Sequence, residues 1–168
     1  MAHKIAVVAS GWQMGGTPCY NGNMQKSPKL IDKDGYVLLY LPDHHESNSR
    51  GYVREHRVVM EQHLKRNLKK GELVDHINGN VKDNRLRNLR LCTHKQNIRN
   101  SKLSRKNKSG YKGVSWDSTR NLWQASIKVN YRSIGLGRFK KKEDAALAYN
   151  MAATHYFGEF ARINHVEI

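Results

Sequence analysis

The chain has 168 residues, with 30 Lys and Arg against 14 Asp and Glu and a formal net charge of +16, a balance suited to a partner rich in phosphate. This length accommodates two small domains but no large single core. Cys19 and Cys92 are the only cysteines and show no C-x-x-C spacing, which excludes a disulfide framework and a zinc knuckle and points to a reducing compartment.

In chain order, the apolar run at residues 5–9 is too short for a signal sequence or a membrane span, so a cytoplasmic, non-secreted protein with no membrane partner is expected. His44 and His45 follow Pro42 in a loop without further ligands nearby in sequence, and both are expected to be exposed. A helix is expected over Glu55–Leu64, with Val59, Met60, His63 and Leu64 as its apolar stripe. Leu73–His76 reads as a short strand, Asn78-Gly79 as a turn pair, and Leu89 and Leu91, alternating with Arg90, as a returning strand. Thr93 is an N-cap candidate, and Gln96 three residues on completes a capping box, placing Asn97 in the opening turns of a helix. Asp75 and His76 are neighbours on an extended chain and point to opposite sides. One can therefore hold a metal while the other faces a water.

Residues 74–100, V-D-H-I-N-G-N-V-K-D-N-R-L-R-N-L-R-L-C-T-H-K-Q-N-I-R-N, resemble the HNH endonuclease family and its ββα-metal motif. Asp34-Gly35-Tyr36-Val37 and Gly51-Tyr52-Val53-Arg54-Glu55-His56-Arg57 look like lead-in segments of phage and intron-associated members, extending the resemblance over residues 30–100. It implies that Asp75 and Asn97 bind one divalent ion, that His76 is the general base, and that Asn88 braces the loop and orients His76. His56 and Arg57 are read as a buttress and a phosphate contact. His94 stands three residues before Asn97, either near the metal or on the surface. Many members carry His where this chain has Asn97; an oxygen donor there favours Mg2+ or Mn2+ over zinc or nickel. A neutral imidazole with pKa near 6.5 can deprotonate the attacking water, and the cation can stabilise the 3′ leaving oxygen.

Residues 99–112 hold Lys102, Arg105 and Lys106 among Ser and Asn and read as a linker, assigned to 101–110. Its cations either track the DNA backbone or belong to a solvated tether. Beyond it, Trp123, Ala125 and Ile127 alternate with Gln124, Ser126 and Lys128 as a strand with one wet face, flanked by strands near residues 113–116 and 133–139. Residues 143–157 place Ala145, Ala148, Tyr149, Ala152 and Tyr156 at helical spacing, with Glu143 and Asp144 at the favourable end of the dipole.

The segments Tyr111-Lys112-Gly113-Val114, Trp123-Gln124-Ala125-Ser126-Ile127, Leu136-Gly137-Arg138-Phe139 and Glu143-Asp144-Ala145-Ala146 are similar to the Apetala-type DNA-binding domain of plant ethylene-response factors. So are Ala148-Tyr149-Asn150, Ala152-Ala153, Gly158 and Asn164. Such domains lay a three-stranded sheet in the major groove, which implies that Lys112, Ser115, Ser126 and Lys128 face DNA with Arg132 nearby. Ser115 and Gly135 stand where plant members usually carry Arg and Trp, so the plant target does not transfer.

The fold class expected is α+β: an HNH module over 30–100, the linker, and a DNA-binding domain over 111–168. Residues 1–29 are unassigned, an extra strand, a DNA-contacting arm or a disordered lead. The basic excess agrees, with twelve basic and five acidic residues over 51–100 and thirteen and five over 101–168. The resemblance implies a homing or mobile-element endonuclease of a phage or bacterium that acts as a monomer on double-stranded DNA and nicks one strand. Alternatives are a noncatalytic DNA-binding regulator with a relic nuclease domain, or a low-specificity phage defence or packaging nuclease making double-strand breaks.

Overall fold

The computed structural model describes residues 30–167. Cys19, the apolar run at 5–9 and the alternatives for residues 1–29 lie outside the described residues. The described chain is mixed α and β, with small antiparallel sheets and few helices.

The first sheet is β1 (Leu30–Ile31), β2 (Val37–Tyr40) and β3 (Tyr52–Arg54), in that order. Asp32 closes its first turn: Oδ1 accepts the Asp34 and Tyr36 N–H groups, each at 2.9 Å. Helix α1 (Glu55–Leu64) follows directly, with the bounds the sequence predicts but a different buried face. His56, Val58, Met60 and Glu61 are buried, Val59 and Leu64 half-buried, and His63 exposed. The reason is that α1 serves two small cores at once. Val58 packs with Leu39 and Val53, whereas Met60 packs with Leu68, Val74 and Leu89. A single stripe describes a helix lying on one surface, and this one is wedged between two.

The second sheet pairs β4 (Leu73–His76) with β5 (Leu89–Cys92), setting Asp75 opposite Arg90 and His76 opposite Leu89. Helix α2 (His94–Arg99) begins at Thr93, whose hydroxyl accepts the Gln96 N–H while the Gln96 side chain accepts the Thr93 N–H. This reciprocal cap satisfies two otherwise orphaned donors of a helix too short to be stable alone.

The third sheet is β6 (Val114–Asp117), β7 (Leu122–Val129) and β8 (Arg132–Phe139), backed by α3 (Lys142–Phe157) and a 3-10 turn, Gly158–Phe160. The helix buries Ala145, Ala146, Tyr149, Ala153 and Phe157. Tyr156, expected on this face, is 42% exposed, and Ala148 and Ala152 only border it. Alanines with no exposed surface bring the helix backbone close to the sheet, and Phe157 then reaches the cluster around Ile127. Gly113 sits directly under the Tyr149 ring, where a Cβ would collide with it, so the close approach requires glycine.

The two halves touch. The Arg90 guanidinium donates to the Glu159 carbonyl and lies 4.1 Å over the Phe160 ring. Arg99 lies 4.7 Å over Phe157. Lys112 Nζ donates to the Arg99 and Ser101 carbonyls at 2.7 and 2.9 Å, capping the C-terminal end of α2. Asn164 receives the Lys112 N–H at 2.6 Å and returns its amide to the Lys112 carbonyl, so the end of the chain is tied to the same place. The linker also contains order: Ser109 is buried, and its hydroxyl bonds the Tyr111 and Val114 carbonyls.

Candidate active site

The hairpin β4–β5 sets Asp75 and His76 on opposite sides of one strand, as alternation on an extended chain requires. His76 is buried beside the Tyr36 and His56 rings, at 6.0 and 5.0 Å between centroids. Its Nε2 lies 2.8 Å from Asn84 Oδ1, and Asn84 Nδ2 donates to Glu55 Oε2 at 2.6 Å. The Glu55 carboxylate can only accept, which fixes the Asn84 amide so that its oxygen faces His76. His76 Nε2 therefore carries the proton, and Nδ1 is the lone-pair nitrogen. Among the described residues Nδ1 has no hydrogen-bond partner and is not sealed from solvent. This is the state a general base needs.

Asn88 does brace the loop: its Oδ1 accepts the Asn78 N–H and its amide donates to the Asp83 carbonyl. The orientation of the His76 ring, however, comes from Asn84 and Glu55. Neither was singled out in the sequence. The signal for Asn84 was its place in the polar loop between the two strands; the partnership with Glu55, 29 residues away, had no local signature.

Asp75 is held from two directions. Arg90 Nε and Nη2 donate to Oδ2 at 3.0 and 2.8 Å, and the Asn100 amide reaches both carboxylate oxygens and the His76 carbonyl. Among the described residues Oδ1 meets only Asn100, at 3.1 Å, leaving acceptor capacity on that oxygen. Asn97 is exposed on α2, three residues before Asn100 and therefore on the same side of the helix. A carboxylate and a carboxamide oxygen suit a hard divalent ion. His94 is exposed, and Cys92 is a buried thiol pushed up to about 11 by burial and then by the Asp75 charge. Burial drives the His56 ring down to about 3, assisted by the neighbouring His76, Arg57 and Arg54, and among the described residues its Nδ1 has no partner.

Residues 53–99, which carry Glu55, Asp75, His76, Asn84, Asn88 and Asn97, match the family described as HNH endonuclease. The chain carries an HNH endonuclease domain. Over 137 residues it is 31% identical to an HNH endonuclease of Acanthamoeba polyphaga mimivirus, an alignment covering 82% of this chain and 66% of that protein. Over 71 residues it is 39% identical to protein 3.8 of Escherichia phage T7, covering 39% of this chain and 59% of that one. The chain spans less than two thirds of the length of either relative.

A second cluster, which the sequence does not suggest, joins the chain before the HNH match to α1 within it. His44, expected to be exposed, is buried, and its Nε2 meets Glu61 Oε2 at 2.8 Å; His45 Nε2 meets Oε1 at the same distance. The three ligand atoms lie within 4.8 Å of one another, a spacing compatible with a metal. The hydrogen bonds oppose that reading. The Glu46 N–H donates to His44 Nδ1 at 3.1 Å, so the ring proton sits on Nε2, aimed at Glu61. A cation at Nε2 would have to displace it. Glu61 also accepts the Leu68 N–H at 2.8 Å, which makes the cluster a brace between the loop, α1 and the chain after it. Burial alone would push the Glu61 carboxyl up; hydrogen bonds from His44, Leu68 N–H and His45 overcome it and hold it at about 2.

The basic residues expected on DNA divide. Arg57 is half-buried in an ion pair with Glu46, and the Lys112 ammonium is spent on the end of α2, so neither presents a free cation. Lys102, Arg105 and Lys106 are exposed. In the third sheet, register places Ser115, Gln124 and Arg138 in one row, with Ser126 opposite Gly135 and Lys128 opposite Ser133, on the face away from α3. Arg132 pairs with Val129, whose side chain packs on the helix side, so Arg132 lies at the edge of the other face. Gln124 and Arg138 share the open face with the expected residues, and the β-bulge between Ala125 and Ser126 that aligns Arg138 with Gln124 was not legible in the sequence.

Proposed function

We propose that the chain is a metal-dependent DNA endonuclease, a homing-type enzyme that nicks one strand of duplex DNA, with His76 as general base. The observation that carries this reading is the Glu55–Asn84–His76 chain, which leaves Nδ1 as the proton acceptor one residue from the Asp75 carboxylate. His76 Nδ1 takes a proton from the attacking water, while Asn84 and Glu55 keep the ring in the correct tautomer and help it carry the resulting charge. Asp75 and Asn97 are the residues that would hold a divalent ion, Asp75 through Oδ1, with Asn100 and Arg90 fixing the carboxylate. Bound there, Mg2+ or Mn2+ supplies Lewis acidity toward a phosphate oxygen and the leaving oxygen. The open face of the third sheet, carrying Ser115, Gln124, Ser126, Lys128 and Arg138, acts as an Apetala-type reader that helps choose the site.

The test is a supercoiled plasmid library with random inserts, incubated with protein and Mg2+ or Mn2+ or with a chelator. Open circles should accumulate before linear DNA, only with the metal. His76→Ala should cut roughly a hundredfold more slowly while binding DNA as before. Prompt linear product at limiting enzyme argues for paired sites, and near-normal cutting by His76→Ala rules out the assigned base.

A further inference from the structure

Of the half-buried arginines, Arg54, Arg57, Arg66 and Arg90 each pair with a carboxylate, and Arg99 lies over an aromatic ring. Arg162 is the exception. Among the described residues its guanidinium has no hydrogen-bond or ion-pair partner. It lies against the turn that follows the catalytic strand: Nη1 is 2.5 Å and Cζ 3.4 Å from where a Cβ on Gly79 would stand, and Lys102 Cε is 3.5 Å from the same point. Gly79 N–H donates to the His76 carbonyl at 2.8 Å, so this turn belongs to the base itself.

Cations gather here without anions to match. Lys112 adds a third, and its ammonium is lowered to about 8 by burial and then by Arg162. Of the carboxylates on the catalytic hairpin, Asp83 pairs with Arg85 and Asp75 with Arg90. An unpaired guanidinium partly removed from water beside other cations is costly unless an anion arrives, and its planar fork suits a phosphate. On the nuclease reading, the anion that would come to this turn is the backbone of the DNA whose phosphodiester His76 would hydrolyse. Glycine at 79, with φ +71, leaves room for the side chain to cross.

Resting on the nuclease reading above, we propose that Arg162 grips a DNA backbone phosphate beside the cleaved bond, so that the C-terminal segment completes the nuclease site. Cutting and site choice are then joined, because the residue that positions the strand arrives from the half of the chain expected to select it.

The experiment compares the full chain with Arg162→Ala, Arg162→Lys and Arg50→Ala, the last removing an equal charge from the loop before β3. Binding is measured by anisotropy in chelator across a salt series, and single-turnover cleavage at saturating DNA in Mn2+. Arg162→Ala should bind roughly tenfold more weakly, with a salt slope shallower by about one ion, and cleave the bound strand roughly tenfold more slowly. Arg162→Lys should recover the salt slope but only part of the rate, since it restores charge without the fork. The melting temperature should not fall, because no partner among the described residues is lost. Unchanged affinity, slope and rate in Arg162→Ala, or an equal loss in Arg50→Ala, overturns the proposal. If the wild-type protein binds but does not cut, the nuclease reading fails, while the chelator series still decides whether Arg162 holds phosphate.

Discussion

Acidification from pH 7 to pH 5 should destabilise the protein chiefly through one ring. His56 is held neutral in the fold, with its pKa brought from 6.5 to about 3. Below 6.5 the unfolded chain takes up a proton that the folded ring refuses until about pH 3, so stability falls as pH falls through that window. At pH 5 the unfolded ring is one and a half units below its pKa, which at about 1.4 kcal/mol per unit costs the native state about 2 kcal/mol. Glu61 acts lower: its carboxyl, brought from 4.5 to about 2, stabilises the fold above 4.5 and loses that contribution only as pH falls toward 2. The comparison is His56→Phe, which keeps a ring against Tyr36 and His76 and removes the unpartnered Nδ1. Urea melts at the two pH values should show wild type losing about 2 kcal/mol more than the variant. Equal losses in the two proteins would refute the claim that His56 is buried neutral.

Glu61→Gln replaces a buried acceptor of three N–H groups by an amide that has to turn donors toward one of them; it should lower stability by about 3 kcal/mol in chemical melts and remove the acid loss between pH 4.5 and 2. Lys112→Met should lower the melting temperature, because the Arg99 and Ser101 carbonyls lose their donor, without changing the salt slope of DNA binding. Lys128→Ala, on the open face, should flatten that slope by about one ion and leave the melting temperature unchanged.

Where the determinants are local, the sequence was legible. The Thr93–Gln96 cap, the ends of α1 and the β4–β5 pair each rest on residues a few positions apart, and the structure places them as read. The errors share a different origin. From the sequence His44 looks exposed because its partner, Glu61, is 17 residues on, across a strand and half a helix. Tyr156 and Phe157 both fit a helical period; only the position of Ile127 on β7 selects the second. Asn84 and Asn88 are the same residue type in the same loop, and their roles divide only through Glu55. Lys112 has the charge and location of a DNA contact, yet the nearest acceptors are the carbonyls ending α2. In each case composition supplied a chemically reasonable side chain, and tertiary contacts decided what it met.

The Arg90 clamp has a consequence for the order of events at the ribosome. Asp75, His76 and the strand that carries them emerge early, and domains generally fold as they appear. The Glu159 carbonyl and the Phe160 ring that hold Arg90 against Asp75 emerge later, Glu159 following Arg90 by 69 residues. Until then Arg90 meets Asp75 without its second anchor. A nascent HNH domain therefore forms before Arg90 is fully anchored, and on the nuclease function proposed above a chain halted before residue 159 should cut more slowly than one that continues past it.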